Sequence, residues 1–200
     1  MFSAIKSQIS LLKDYNKIAK IDRIARRYFV MNTFDGVLAI LGILFGSLIA
    51  DSSNRAVITT GLAAGIAMGI SGIWGAYLTE RAERQRELKE LERATLSKLK
   101  GTKIGRAATV AVLVVAIIDG FAPFLAAVAI LTPFLFFGAV LSKSGMYAVS
   151  IIISFSMLFL LGIYLGRISK ENIIKTGLIM ILAGVMSAVV SFVLLGKGTI

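Results

Sequence analysis

Cysteine and histidine are both absent from the 200 residues. Their absence removes disulfide frameworks, thiolate and imidazole metal sites, Cys or His nucleophiles and the usual neutral-pH proton shuttle. Any chemistry must use carboxylates, hydroxyls or methionine. Charge is also scarce: only 16% of the residues are charged, with 11 acidic against 22 basic. A soluble core of this length would need roughly half its residues on a polar surface, so the chain cannot cover itself in water. Proline occurs only at positions 123 and 133, and no Pro-, Ser- or Gly-rich linker divides the chain.

What is present is apolar. The hydrophobic fraction is 57% and the mean hydropathy +0.86, above the 45–50% apolar content of ordinary soluble domains. A bilayer is the solvent such a chain requires. A membrane-crossing helix needs about 20 apolar residues to span roughly 30 Å of hydrocarbon. Four stretches meet this: Tyr28–Ala50, Ala56–Leu78, Met146–Gly166 and Ile173–Leu195. A fifth, Ala107–Leu141, would reach about 50 Å as one helix, and it contains Asp119, Gly120, Pro123 and Pro133. It reads as one kinked, tilted span, with a re-entrant pair of half-helices as the alternative.

The fold class expected is therefore an all-α integral membrane protein with five transmembrane helices. Lys and Arg test the orientation. With the amino terminus inside, 19 fall on the inner side and three outside, as the positive-inside rule asks. This places the amino terminus in the cytoplasm of a multi-pass protein and accounts for the net charge of +11 without nucleic acid as a partner. A re-entrant third stretch would divide the charges 18 to four, so the side of the carboxyl terminus stays open. The amino terminus lacks an apolar run followed by a small-residue cleavage site, and the first span is expected to remain as an anchor.

Residues 1–27 read as an amphipathic cytoplasmic-surface helix. Phe2, Ile5, Ile9, Leu12 and Ala19 lie on one face, with Lys6, Lys13, Lys17 and Lys20 mostly off it. Such a helix suits an anionic leaflet, so membrane lipid is an expected partner. Residues 28–200 form the five-span domain, within which residues 79–100 extend the second span into the cytoplasm as a charged helix.

Candidate sites follow from the charges that hydrocarbon tolerates least. Asp35 lies about eight residues into the first span, where burying a carboxylate costs about 2.5–3.5 kcal/mol on insertion scales. At about 100° per residue, Asn32, Asp35, Ala39, Gly42 and Gly46 share one face. That face must meet another helix or water; the alternative is a hydrogen-bonded or snorkelling carboxyl. Asp119 sits among Ala108, Val112, Ala116, Ala122, Pro123 and Ala126, and its alternative role is to accept from freed backbone at a kink. The second span presents Gly61, Ala64, Gly65, Gly72, Gly75 and Ala76 with Met68 among them, a surface for dimerisation or close packing. Met68 is a soft metal ligand or a gap filler. Glu80, Glu83, Glu87 and Glu90 recur at three and four residues, a row that could collect divalent cations; alternatively Glu80–Arg84 and Arg86–Glu90 pairs lace a solvated helix.

Three segments carry a resemblance. Phe34-Asp35-Gly36-Val37-Leu38 is similar to the Asp-Gly opening of the first span in the vacuolar iron transporter family. Gly61-Leu62-Ala63-Ala64-Gly65 through Gly75-Ala76-Tyr77-Leu78-Thr79-Glu80-Arg81-Ala82-Glu83 resembles that family's second span entering its cytoplasmic helix, and Asp119-Gly120-Phe121-Ala122-Pro123 is the third segment. The likeness covers roughly residues 25–195. It implies a five-span homodimeric carrier of ferrous or other divalent ions, with the ion path between subunits along the first span, past Asn32, Asp35 and Met68. The divalent cation is then substrate, not a resident cofactor, and Asp35 both ligates it and exchanges protons. That family's second-span glutamate and methionine fall here at Ala64 and Gly72, and its multi-helix cytoplasmic domain is reduced to about 27 residues.

Two other classes compete. One is a non-transporting scaffold that binds lipid or a partner. The other, a membrane enzyme, is not expected: Asp119 lacks the Gly-x-Gly that precedes it in intramembrane aspartyl proteases. Ile40 stands where the lipid phosphoalcohol transferases need Arg after Asp-Gly-x-x-Ala.

Overall fold

The computed structural model describes the backbone of residues 2–195 and the side chains of residues 11–195. Six helices follow in order: α1 (Phe2–Ala19), α2 (Ile21–Ile49), α3 (Asn54–Thr95), α4 (Lys103–Phe136), α5 (Lys143–Ser169) and α6 (Ile173–Leu195). Among the described residues there is no strand. Helices α2 to α6 are each long and apolar enough to cross a membrane, and the protein is a multi-pass integral membrane protein. The stretch expected as one span is one helix: α4 runs through both Pro123 and Pro133, and residues 137–142 connect it to α5.

The helix boundaries are written in local polar chemistry. Ser53 Oγ accepts from Ala56 N at the start of α3, Thr102 Oγ1 from Ile104 N at α4, and Ser142 Oγ from Gly145 N at α5. Asn172 Oδ1 accepts from both Ile174 N and Lys175 N at α6. Each satisfies amides that the first helical turn leaves without a partner. Helices α1, α2, α3 and α5 end on residues in left-handed backbone, Lys20, Asp51, Leu96 and Lys170.

The chain divides into two compact units, and the division falls within α2, α3 and α4. In the first unit (residues 1–29 and 70–121), Tyr15, Ala19 and Ile21 pack on Ala107 and Ala111, while Ala25, Ala76, Val115 and Ala116 form a second cluster. The expected helix over residues 1–27 is thus two pieces, broken at Lys20, with Asn16 Oδ1 accepting from Asp22 N across the break. Its buried side is Tyr15 and Ala19, whereas Leu12, expected on the same face as Ala19, is exposed. The side chains of Phe2, Ile5, Lys6 and Ile9 lie outside the described residues.

In the second unit (residues 30–69 and 122–200) the core is Val37, Ile40, Leu41, Leu44, Ile130, Leu131 and Leu158, all fully buried. Helix α6 buries only Gly177 and Gly184 and leaves Ile174, Leu178, Ile179, Leu182 and Phe192 exposed, an arrangement stable only where lipid replaces water. It is held by a close crossing with α5. A Cβ at Gly162 would lie 2.5 Å from Gly177 Cα and 2.6 Å from Thr176 O. Backbone cannot step aside as a side chain can. Gly162→Ala should therefore destabilise by about 1–3 kcal/mol, seen as a lowered unfolding temperature in detergent. Gly75→Ala, where a Cβ meets nothing within 4 Å, should not; equal behaviour of the two variants would refute the crossing.

The α2–α3 connection is tied to α5 by an ion pair between Asp51 and Lys143, whose ammonium also donates to the Asp51 carbonyl. The hydrogen bond and charge of Lys143 hold the Asp51 carboxyl below the usual carboxylate range. A depressed folded-state value gives stability that is present above about pH 4 and is lost as pH falls through the folded value. The stability difference between the protein and Asp51→Asn should accordingly be small at neutral pH, as for exposed pairs, and should close on acidification. Unfolding temperatures across that range check this, and a gap that widens in acid would contradict it.

Candidate functional site

In the second unit, α2 turns Val37, Ile40, Leu41 and Leu44 into the core. At about 100° per residue, Asp35 then points to the opposite side of the helix. It is exposed, and Asn32, Ala39, Gly42 and Gly46 beside it are half-buried. The stripe read from the sequence therefore faces away from the core of the second unit. Near Gly42 it is open, since a Cβ there would meet nothing within 4 Å. Among the described residues, nothing makes a hydrogen bond or ion pair with Asp35.

The glycine after Asp35 has a separate reason to be there. A Cβ at Gly36 would lie 2.8 Å from Pro123 Cα and 3.1 Å from its carbonyl oxygen, so α2 and α4 cross at backbone contact one residue beyond the carboxylate. Gly61 and Gly65 of α3 make room for side chains of α4, where added Cβ atoms would lie 2.7 Å from Leu131 Cδ1 and 2.8 Å from Ala127 Cβ. The small-residue face of the second span is thus consumed in packing within one protomer along this part of its length. Met68 is half-buried on the same helix.

In the first unit, Asp119 is 4% exposed. Pro123 has no N–H to donate to the Asp119 carbonyl, yet the helix continues. Helix α3 approaches at this turn: a Cβ at Gly72 would lie 3.1 Å from both Asp119 O and Gly120 Cα. Both Asp-Gly pairs thus lie where a neighbouring helix comes close, Pro123 against Gly36 and Gly72 against Gly120.

The four glutamates of α3 separate by environment. Glu80 is 7% exposed, whereas Glu83, Glu87 and Glu90 are exposed. Glu80 hydrogen-bonds with the Tyr28 hydroxyl and lies 3.9 Å from Arg84 Nε. Arg84 Nη1 reaches Glu87 at 2.9 Å, and its Nη2 donates to Ala19 O at 2.8 Å. A cation on the last carbonyls of α1 is favourable both as a cap and against the helix dipole. Arg86 pairs with Glu90 at 3.0 Å. The Glu80–Arg84 and Arg86–Glu90 pairs expected from the spacing are present, but the first is a buried latch and not part of a solvated face.

The candidates do not converge on one ion-binding group: among the described residues, no three carboxylates gather closely enough to hold a metal. Sequence reasoning missed the Tyr28–Glu80–Arg84–Ala19 network, because Arg84 and Ala19 are 65 residues apart. The sole local clue was a Glu and an Arg four apart just beyond an apolar span.

Comparison with known proteins adds two findings. The sequence pattern of the VIT family matches residues 26–113, a range that holds Asn32, Asp35, Met68 and the α3 glutamates but not Asp119. An uncharacterised protein of Methanocaldococcus jannaschii is 36% identical over 172 residues, covering 84% of this chain and 87% of that protein.

The latch makes a prediction. Glu80→Gln leaves Arg84 with a buried charge less well compensated and should cost about 1–3 kcal/mol, whereas Glu83→Gln on the exposed side should stay within about 0.5 kcal/mol. Thermal unfolding of the two variants in detergent compares them, and equal stability would show Glu80 to be an ordinary surface residue.

Proposed function

The chain belongs to the VIT family, and from that premise we propose that it carries a divalent metal cation, of the ferrous or manganous kind, across the membrane in exchange for protons. The observation that carries this reading is the outward-facing Asp35 in the apolar span α2. A carboxylate turned toward lipid is costly, so another protein surface must meet it. A second copy is the simplest. In a two-fold dimer a stripe near the axis meets its own counterpart, which would bring two Asp35 carboxylates and two Asn32 amides together. Those oxygens suit a hard or borderline cation, and Met68 would add a softer donor. One protomer lacks such a group; a homodimer would supply it.

Metal binding requires the ionised carboxylate, so a cation arriving at Asp35 displaces any proton held there, and the two fluxes become coupled. The charge distribution supports a cytoplasmic amino terminus. On that orientation α1 lies along the inner leaflet, and the polar end of α3 projects into the cytoplasm. There the glutamates of α3 would raise the local concentration of cations, Glu83 most directly, since Glu80 and Glu87 are engaged by Arg84 and Glu90 by Arg86. Asp119 has a packing role in this scheme.

One observation favours a second reading, a scaffold that transports nothing. Gly72 stands where the family has a second-span methionine, and a Cβ there would lie a tight 3.1 Å from the Asp119 carbonyl oxygen and from Gly120 Cα. Calorimetric titration with ferrous, manganous and calcium ions separates the readings, because a scaffold gives no saturable site. In proteoliposomes, Asp35→Ala and Asp35→Asn should each reduce metal-dependent flux to background. Flux that survives either substitution would end the assignment.

A further inference from the structure

At the break between α1 and α2 the first unit contains a cavity of about 580 Å³, within the roughly 300–1,000 Å³ typical of small-molecule sites. Four cations line it: Lys20 at the left-handed break, Arg23 and Arg27 one turn apart on α2, and Arg84 from α3. The one carboxylate among its lining residues is Glu87, and that carboxylate is already bound by Arg84 at 2.9 Å. Lys20, Arg23 and Arg27 form no ion pair among the described residues. Asp22, the acid nearest in sequence, pairs with Arg26 instead.

Unpaired cations held around one concavity repel each other, and an anion that enters relieves this. Arginines present forked donors that match the oxygens of a phosphate. The remaining walls decide which phosphate. Ile18 and Ile24 also line the cavity, and Leu11, Leu12 and Ile18 expose large apolar side chains along α1. Immediately after Arg27, α2 turns apolar. The cavity therefore sits where a helix passes from charged to lipid-soluble sequence, the depth at which phospholipid headgroups lie.

We propose that this cavity is a binding site for the phosphate of an anionic phospholipid, with Arg23 and Arg27 as its principal ligands, Lys20 and Arg84 completing the field, and the isoleucines contacting the glycerol end. The bound lipid pins the α1–α2 break to the bilayer. The site is independent of metal transport.

Native mass spectrometry of the full chain released from detergent, titrated with phosphatidylglycerol or phosphatidylcholine, tests it. Phosphatidylglycerol should be retained and phosphatidylcholine should not. Lys20→Gln/Arg23→Gln/Arg27→Gln should weaken phosphatidylglycerol binding by roughly tenfold or more, at about a tenfold step per 1.4 kcal/mol and about 1 kcal/mol per cation. Lys89→Gln/Arg93→Gln/Lys98→Gln, which removes as much charge from the exposed end of α3 and the residues just after it, should leave binding unchanged. Glu87→Gln, which deletes the cavity's carboxylate, should tighten it, and this variant keeps the test open if the triple variant fails to fold. Equal losses in the two triple variants, or no tightening in Glu87→Gln, would overturn the site. Inorganic phosphate displacing the lipid at equal concentration would overturn its assignment to a phospholipid.

Discussion

Every helix that crosses hydrocarbon must satisfy its backbone internally, because lipid offers no hydrogen bonds, and must then find partners without help from the hydrophobic effect. The helices here respond by bringing bare backbone together. Gly162 meets Gly177, Gly36 meets Pro123, and Gly72 meets Gly120 and the Asp119 carbonyl. Dispersion across such contacts is short-ranged, so it accrues only when nothing intervenes. That is why α6 is secured while burying little more than two glycines.

Polar groups under the same constraint have two outcomes. Glu80 is held by Tyr28 and by the charge of Arg84, and Arg84 also closes the end of α1. A network of this kind fixes a helix junction, and removing one member strands the others. Asp35 has the opposite situation: the core face of α2 is filled by Val37, Ile40, Leu41 and Leu44, which forces the carboxylate outward. Among the described residues nothing offsets its energetic cost. Glu80 is turned in and paired, and the acid proposed to act on a substrate is turned out.

Much of this was legible in the sequence, because long apolar runs and their charged flanks determine spans directly. Ile173–Leu195 is the helix expected from hydropathy alone, and the stripe from Asn32 to Gly46 follows from helical period. The break at Lys20 was not legible, since it depends on a non-glycine residue in left-handed backbone and on a side-chain bond from Asn16. Nor was the burial of Glu80, whose spacing matches that of its exposed neighbours. Its surroundings are set by Tyr28 and by the end of α1, both distant in sequence. The repeated Asp-Gly was visible as a pattern, but its cause was not: the glycines answer to helix crossings, so the aspartates before them need not share a function.

The same crossings bear on how this chain departs from its family. At Gly72 a methionine would have to begin with a Cβ 3.1 Å from the carbonyl of Asp119 and the Cα of Gly120, both backbone atoms that cannot rotate away. A side chain at that position and so close an α3–α4 approach at Asp119 work against each other, and glycine leaves the approach undisturbed. Met68 sits one turn earlier on the same helix and is half-buried, so a sulfur donor remains available on α3, but at a different height. Glycine at position 72 is thus accounted for by packing, and Met68 is the sulfur-bearing side chain nearest to it along α3.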